Sequence, residues 1–216
     1  TYVSNTSGSS GHPFFFAKNK EAHAMDWALI KNRYAWHGLG LNSKQARFYG
    51  IPLEKWAYRK EKIKDLVMNR VRFSVFDLSD RMLDKYSQEF SKKKFDYIYG
   101  YSNSLVMLAK FLSNRNLVLN TICPSLERCI ATSEVLVEED RELLTKAFGV
   151  KVINEYGTSE VGLIAFESPE NEWLLCEETV FLELIDINDS REIVGGNIIA
   201  TDLDNLAMPF VRYNIG

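Results

Sequence analysis

The middle of the chain alternates strand-like and helix-like segments, and this alternation constrains the fold more than any other feature. Helices are predicted to begin near Ser79, Ser102 and Glu138, where capping or acidic residues precede apolar positions at helical spacing. Strands are predicted in the same region, over residues 95–99, 127–132 and 150–153. Because strands that alternate with helices usually run parallel, we expect an α/β fold with a mostly parallel sheet flanked by helices.

Outside this region the pattern differs on the two sides. Residues 13–18 predict a strand and residues 20–36 a helix, whereas no helical pattern follows Tyr156. Short strands are predicted there instead, over residues 162–166, 173–177, 179–186 and 197–202. We therefore expect an α/β subdomain over residues 1–160 and a smaller all-β, distorted barrel-like subdomain over residues 161–216.

Composition and charge exclude several classes of protein. The chain is 46% hydrophobic with a net charge of −3, so bulk attraction to nucleic acid is not expected. The aromatic residues of its basic segment between Lys55 and Arg72 are not interleaved as a base-stacking platform would need, and the segment is interpreted as a solvated face. No apolar run approaches the ~18 residues that span a bilayer, so no membrane partner is expected. The cysteines are odd in number and irregularly spaced, which indicates reduced thiols in a cytoplasmic protein.

Three polar stretches carry residues that suit nucleotide chemistry. TSGSSGHP, over residues 6–13, combines glycines with hydroxyl groups that can surround a phosphate, although a flexible linker has the same composition. NEYGTSE, over residues 154–160, follows a predicted strand and offers an aromatic face and a carboxylate, or else forms a solvated turn. Residues 202–216 are an acidic turn and a strand that starts after a proline, and alone they indicate another hairpin.

Together these stretches resemble the motifs of the AMP-forming adenylating enzymes, the acyl-CoA ligases and their relatives. TSGSSGHP is similar to their TSGSTGKP-type phosphate loop, YGTSE to their Tyr-Gly-x-Thr/Ser-Glu motif, and MPFVRYNIG to their Pro-Leu-x-Arg-Tyr-x-x-Gly-Asp motif. Their order and spacing also agree. YGYSNSL at residues 99–105 and ATSE at residues 131–134 resemble the phenylacetate–CoA ligase-like branch, which includes CapK-type and coenzyme F390 synthetase-like proteins.

The resemblance implies a fold and an activity. It implies part of the large N-terminal domain of an adenylate-forming enzyme that uses ATP and Mg²⁺ to convert a small carboxylic acid to an acyl-adenylate, with release of pyrophosphate. Transfer of the acyl group to coenzyme A would follow, and the CapK-type likeness implies a role in capsular polysaccharide biosynthesis. Two alternatives stay open: a non-catalytic nucleotide-binding module, and a nucleotidyl transfer of the coenzyme F390 synthetase type.

The resemblance also assigns roles to single residues. The phosphate loop would hold the leaving phosphates through Thr6, Ser7, Gly8, Ser9, Ser10 and Gly11. The other roles fall to Ser133 and Glu134 at the adenine, Tyr156 stacked on it, Gly157 and Thr158 beside the α-phosphate, and Glu160 on Mg²⁺. Thr158 and Glu160 are the catalytic candidates. Gly100 and Tyr101 would lie near the acyl pocket.

Two departures from the family pattern stand out. His12 occupies a position where lysine is common, so a fixed positive charge near the phosphates is replaced by a group that is mostly neutral at pH 7. The sequence ends at Gly216, where the ribose-binding aspartate and then the lysine-bearing C-terminal domain would follow. We therefore expect the sequence to be a central fragment of a longer enzyme.

Overall fold

The chain forms two compact units. The structure is a computed structural model that describes residues 2–5, 14–51, 55–186 and 196–215. One unit combines Thr1–Tyr34 with Tyr156–Gly216, and the other is Ala35–Glu155. The predicted phosphate loop at residues 6–11 and the neighbouring His12 lie outside the described residues.

Helices and strands alternate over much of the chain. The helices are α1 (Lys20–Trp36), α2 (Lys55–Val67), α3 (Asp80–Lys92), α4 (Ser102–Ser113), α5 (Leu119–Ile122) and α6 (Glu138–Phe148). The strands are β1 (Tyr2–Asn5), β2 (Phe15–Lys18), β3 (Gln45–Tyr49), β4 (Arg70–Ser74), β5 (Tyr97–Tyr101), β6 (Arg128–Thr132), β7 (Lys151–Thr158), β8 (Gly162–Glu167), β9 (Trp173–Leu175), β10 (Val180–Asp186), β11 (Gly196–Asp202) and β12 (Tyr213–Asn214). The predicted helices at 20–36, near Ser79, at Ser102 and at Glu138 are confirmed.

The Ala35–Glu155 unit is built on a parallel sheet. Its strand order is β4-β3-β5-β6-β7, and each neighbouring pair is parallel. Ala46 and Phe48 of β3, Ile98 of β5 and Cys129 of β6 are fully buried on one face of this sheet. They pack with the apolar faces of α3, α4 and α6, so the predicted α/β core is confirmed.

The two helix ends that the sequence singled out have different causes. Ser79 occupies the N-cap position of α3 with extended backbone, but its side chain makes no capping hydrogen bond. Its own N–H instead donates to Asp77 Oδ1 at 3.0 Å. Gly149 ends α6 as predicted, with a left-handed φ of 69° and its N–H bonded to the carbonyl of Thr145.

The other unit joins the two ends of the chain. Strands β1 and β2 form an antiparallel pair, as do β8 and β9, and β10-β11-β12 form an antiparallel sheet. The Phe14 and Phe16 rings each lie 6.1 Å from the Phe210 ring. Asn205, 1% exposed, donates to the carbonyl of Ala17 at 2.9 Å. These contacts explain why the first 34 residues group with the C-terminal region, whereas the sequence placed them in a 1–160 subdomain.

None of the helices in the described ranges is both long enough and apolar enough to cross a bilayer.

Candidate functional site

The second motif forms the turn between β7 and β8. Tyr156, Gly157 and Thr158 end β7, and the turn follows at residues 159–161. Thr158 Oγ1 accepts a hydrogen bond from the N–H of Val161 at 3.2 Å, and Gly162 enters β8 with a φ of 84°. A hydroxyl and a left-handed glycine therefore fix the turn, so the motif's position at a strand end is confirmed.

Gly157 is required by the neighbouring strand. A Cβ at this position would lie 2.6 Å from the carbonyl oxygen of Gly162 and 3.1 Å from the Cα of Leu163. Any side chain would therefore force the two strands apart. The resemblance implies that Gly157 lies beside the α-phosphate, and the structure adds an approach of the protein's own backbone.

Tyr156 is an outward-facing aromatic residue of the motif. It is 37% exposed and lies between half-buried Glu155 and exposed Gly157. An exposed phenol ring on a strand end provides a flat apolar surface that a planar ligand can cover. This exposure is compatible with the stacking role that the sequence predicts.

Glu160 connects the second motif to the third. Glu160 is only 9% exposed, and Tyr213 forms a side-chain hydrogen bond with it. Burial raises the pKa of Tyr213 above its ordinary value, and the charge of Glu160 and their hydrogen bond raise it further. Tyr213 is therefore a neutral phenol at pH 7 that donates to the carboxylate. The sequence analysis placed both residues in motifs but did not predict this contact.

The third motif is held by its own set of contacts. Tyr213 of β12 pairs with Ala200 of β11, as expected for a hairpin-like strand. Arg212 has a left-handed φ of 51°, its N–H donates to Thr201 Oγ1 at 3.0 Å, and its guanidinium lies 2.6 Å from Glu183 Oε1. Contacts of both the backbone and the side chain thus fix Arg212, the residue that precedes Tyr213.

A buried ion pair beside the turn was missed by the sequence analysis. Lys18 Nζ lies 2.7 Å from Asp26 Oδ2, and the Lys18 side chain is 6% exposed. A Cβ at Gly162 would lie 2.6 Å from Asp26 Oδ1, so the pair abuts the start of β8. One signal was available: Lys18 alternates with Phe16 on the buried side of β2, and a buried cation requires a partner.

Ser133 and Glu134 follow β6 in the Ala35–Glu155 unit. Ser133 is exposed and has a left-handed φ of 68°, which is uncommon for a residue with a Cβ. Glu134 Oε2 accepts from the N–H of Asn103 at 2.7 Å, and its carbonyl accepts from Ser102 Oγ at 3.1 Å. The carboxylate of Glu134 therefore stabilises the first turn of α4, while Ser133 faces solvent.

Gly100 and Tyr101 lie on neighbouring positions of β5 with different surroundings. A Cβ at Gly100 would lie 2.6 Å from the Cβ of Phe48, so packing in the sheet explains this glycine. The Tyr101 ring lies 4.4 Å from the Tyr49 ring, and burial raises the pKa of Tyr101. The guanidinium of Arg47 lies 4.2 Å from the Tyr49 ring. Beside the predicted acyl-pocket position, the sheet therefore carries an aromatic and cationic cluster.

Glu160 is the candidate Mg²⁺ ligand in this turn. Among the residues that the structure describes, no group of three or more histidine, cysteine or acidic side chains could hold a metal ion. Mg²⁺ often takes only one or two protein carboxylates and fills its other positions with water and substrate phosphates. A carboxylate has about four lone-pair sites, so Glu160 can accept from Tyr213 and still contact a cation. The site thus fits Mg²⁺ that arrives with a nucleotide.

Comparisons with known proteins place this fold. The chain is 23% identical over 222 residues to Protein CapK of Staphylococcus aureus, a match that covers 98% of this chain and 46% of CapK. The chain thus spans about half the length of this curated relative. No family model matches the chain.

Solved structures give the same picture. A 2-hydroxyisobutyryl-CoA ligase in complex with 2-HIB-AMP and CoA matches with a TM-score of 0.71 at 17% identity, over 100% of this chain and 47% of that one. A malonyl-CoA ligase with methylmalonyl-CoA and AMP bound matches at 0.61 and 18%, over 93% and 43%. Apo MatB from Rhodopseudomonas palustris matches at 0.63 and 13%, over 96% and 40%. The predicted likeness is therefore confirmed at the level of the fold, and the chain has the fold of the acyl-CoA ligases of the adenylate-forming superfamily.

Proposed function

We propose that this chain is part of an AMP-forming acid–thiol ligase. It would activate a small carboxylic acid as an acyl-adenylate at the expense of ATP and then transfer the acyl group to coenzyme A. The observation that carries the proposal is the fold that the chain shares with acyl-CoA ligase structures. The side-chain interaction between Tyr213 and Glu160, which brings the second and third motifs together within one unit, supports it.

The proposed reaction has two steps. A carboxylate oxygen of the acid attacks the α-phosphorus of ATP, the bond from that phosphorus to the bridging oxygen of the β-phosphate breaks, and pyrophosphate leaves. The thiol sulfur of coenzyme A then attacks the acyl carbon, AMP leaves with the bonding electrons, and the thiol proton passes to solvent. Both steps depend on positioning and charge neutralisation more than on covalent help from the protein.

Each motif residue has a proposed part in the first step. Tyr156 stacks on the adenine, and Gly157 and Thr158 lie beside the α-phosphate. Glu160 holds Mg²⁺, which when bound neutralises charge on the phosphates. Ser133 and Glu134 line the adenine site, and the carboxylate of Glu134 also holds this segment against α4. The loop at residues 6–11 holds the leaving phosphates.

The finer assignments follow the resemblance. The CapK-type likeness supports a phenylacetate–CoA ligase-like enzyme with a role in capsular polysaccharide biosynthesis. The cysteines of this chain are free and buried, at Cys123, Cys129 and Cys176. This supports a cytoplasmic location, where thiols stay reduced.

Acid-dependent exchange of labelled pyrophosphate into ATP tests the proposal. The native polypeptide that contains this sequence should catalyse the exchange with at least one member of a panel of aryl, aliphatic and amino acids. Glu160→Gln should lower the rate by about 100-fold or more, the effect of losing one electrostatic contact to the reacting group. Glu170→Gln, at an exposed turn in the same unit, is the matched control and should leave the rate unchanged.

The possible results separate the proposed function from its alternatives. Exchange that is insensitive to Glu160→Gln would remove this carboxylate from the mechanism. ATP binding without exchange for any acid would instead support a non-catalytic nucleotide-binding module. Exchange that is not followed by AMP release when coenzyme A is added would favour a nucleotidyl transfer.

A further inference from the structure

Helix α2 presents its apolar side chains to solvent. The half-buried positions follow one another at i, i+4 and i+8, at Ala57, Glu61 and Asp65. The opposite side carries large apolar residues with high exposure: Trp56 (76%), Ile63 (65%), Leu66 (82%) and Val67 (79%). An amphipathic helix on a protein surface normally has the reverse arrangement, so this apolar face is available for a partner.

Ion pairs attach α2 to the neighbouring strand β4. Arg72 lies 2.7 Å from Glu61 and 3.0 Å from Asp65, and Arg70 pairs with both carboxylates. The arginine side chains are 6% and 11% exposed. Burial alone would raise the pKa of Asp65, but hydrogen bonds from the two arginines outweigh it and the pKa is lowered. Because both acids are engaged inward, the helix does not need its apolar residues to bind the sheet.

The exposed side of α2 is cationic as well as apolar. Arg59, Lys60 and Lys62 are all exposed, and Lys60 lies between Trp56 and Ile63 on the helix surface. The chain as a whole has a net charge of −3, so this local positive charge is concentrated against the overall sign. Two copies that met through this face would bring like charges together, which disfavours a symmetric dimer.

We propose that α2 is a peripheral attachment site for an anionic lipid bilayer. The helix would lie parallel to the membrane surface, with Trp56, Ile63 and Leu66 among the headgroups and upper acyl chains and the exposed cations next to lipid phosphates. A tryptophan and aliphatic residues flanked by lysine and arginine are the composition of such interfacial helices. The inference does not depend on the proposed ligase activity. It differs from the sequence interpretation of this segment as a solvated face and from the expectation of no membrane partner.

Vesicle co-sedimentation of the native polypeptide that contains this sequence tests this site, because a face that another part of that polypeptide covers would not bind vesicles. The chain should bind vesicles that contain phosphatidylglycerol, bind phosphatidylcholine vesicles much more weakly, and dissociate as salt is raised. Lys60→Ser and Lys62→Ser should each lower the partition constant about fivefold. Leu66→Ser should lower it by about tenfold or more, because it removes apolar area from the interface.

Matched controls separate a specific site from general stickiness. Leu41→Ser alters a leucine that is 75% exposed elsewhere in the same unit, and Lys94→Ser removes an exposed lysine away from α2. Neither should change binding. All these positions are exposed, so the variants should fold. The fluorescence difference between the wild type and Trp56→Phe should also shift to shorter wavelength when anionic vesicles are added.

Several results would overturn the proposal. Equal binding to neutral and anionic vesicles, no binding to either, or unchanged binding of the α2 variants would each do so. Concentration-dependent dimerisation that Leu66→Ser abolishes, without vesicle binding, would identify a second copy of the chain as the partner instead.

Discussion

Removing the phenol hydroxyl of Tyr213 should destabilise the unit that joins the two ends of the chain. The hydroxyl donates to Glu160, which is only 9% exposed, so Tyr213→Phe leaves a carboxylate with little access to water and one partner fewer. A hydrogen bond to a charged group contributes about 1.5–3 kcal/mol. Because Tyr213 itself is half-buried, we expect the low end, about 1.5 kcal/mol. For a chain of this size that corresponds to a loss of about 3–6 °C in Tm.

The coupling between the two side chains can be isolated with a double-mutant cycle. Thermal denaturation of the wild type, Tyr213→Phe, Glu160→Gln and the double variant gives the four free energies. In the Glu160→Gln background the hydroxyl meets a neutral amide, so Tyr213→Phe should cost only about 0.5–1 kcal/mol. Tyr156→Phe removes a hydroxyl from the other motif tyrosine and should change stability by less than about 0.5 kcal/mol. Equal costs of Tyr213→Phe in both backgrounds would refute the reasoning.

Alkaline titration gives an independent check of the same pair. The folded-state pKa of Tyr213 lies above its ordinary value of 10.0, through burial first and then the charge and hydrogen bond of Glu160. The folded state therefore keeps this proton at pH values where the unfolded state releases it. The stabilisation is fully present below about pH 10 and is lost as the pH rises through the folded-state pKa. Tyr213→Phe should remove this part of the alkaline destabilisation, and Glu160→Gln should shift the Tyr213 titration to lower pH.

Three further substitutions should show which contacts hold the fold. Gly157→Ala places a Cβ 2.6 Å from the carbonyl of Gly162 and should cost about 2 kcal/mol in urea denaturation. Gly100→Ala meets the Cβ and carbonyl of Phe48 at 2.6 and 2.7 Å, in a fully buried region, and should cost about 3 kcal/mol by the same measurement. Asp65→Asn should cost about 2 kcal/mol at pH 7, since it leaves the two β4 arginines short of a carboxylate. The Asp65 pKa is lowered below 3.8, so this cost should shrink as the pH falls below about 4; a cost that stays constant with pH would contradict the ion-pair explanation.

Helices α1, α3, α4 and α6 were predictable because their signals are local, whereas α2 and α5 were not predicted. The apolar spacing of α3, α4 and α6 repeats over several turns, and Gly149 supplies the left-handed residue that ends α6. Strands β3 and β4 were not predicted, and their sequences explain why. Arginines occupy alternate positions, at Arg47 in QARFY and at Arg70 and Arg72 in RVRFS, where apolar residues would be expected in a buried parallel strand. Tertiary contacts make these positions suitable for a strand. Aromatic rings lie against Arg47, and the α2 carboxylates pair with Arg70 and Arg72.

The candidate site was predictable in its parts but not in its connections. The sequence located Tyr156 and Glu160 at the end of a strand because the strand and the turn are adjacent in the chain. It did not pair Glu160 with Tyr213, or Lys18 with Asp26, because these contacts depend on how β12, β2 and α1 pack within one unit. In both cases the sequence does not show which polar side chains are buried. A buried polar side chain needs a partner, whereas an exposed one can bind water.

The structure also separates two kinds of residue within the YGTSE motif. Gly157 is explained by the approach of β8, and the hydroxyl of Thr158 by its hydrogen bond to the backbone of the turn. A folded turn would require both residues even without a ligand. The backbone geometry of the turn does not require the phenol ring of Tyr156 or the carboxylate of Glu160, because the first is exposed and the second is directed to Tyr213. Within this motif, therefore, Tyr156 and Glu160 are the side chains available for a ligand, while Gly157 and Thr158 set the backbone that positions them.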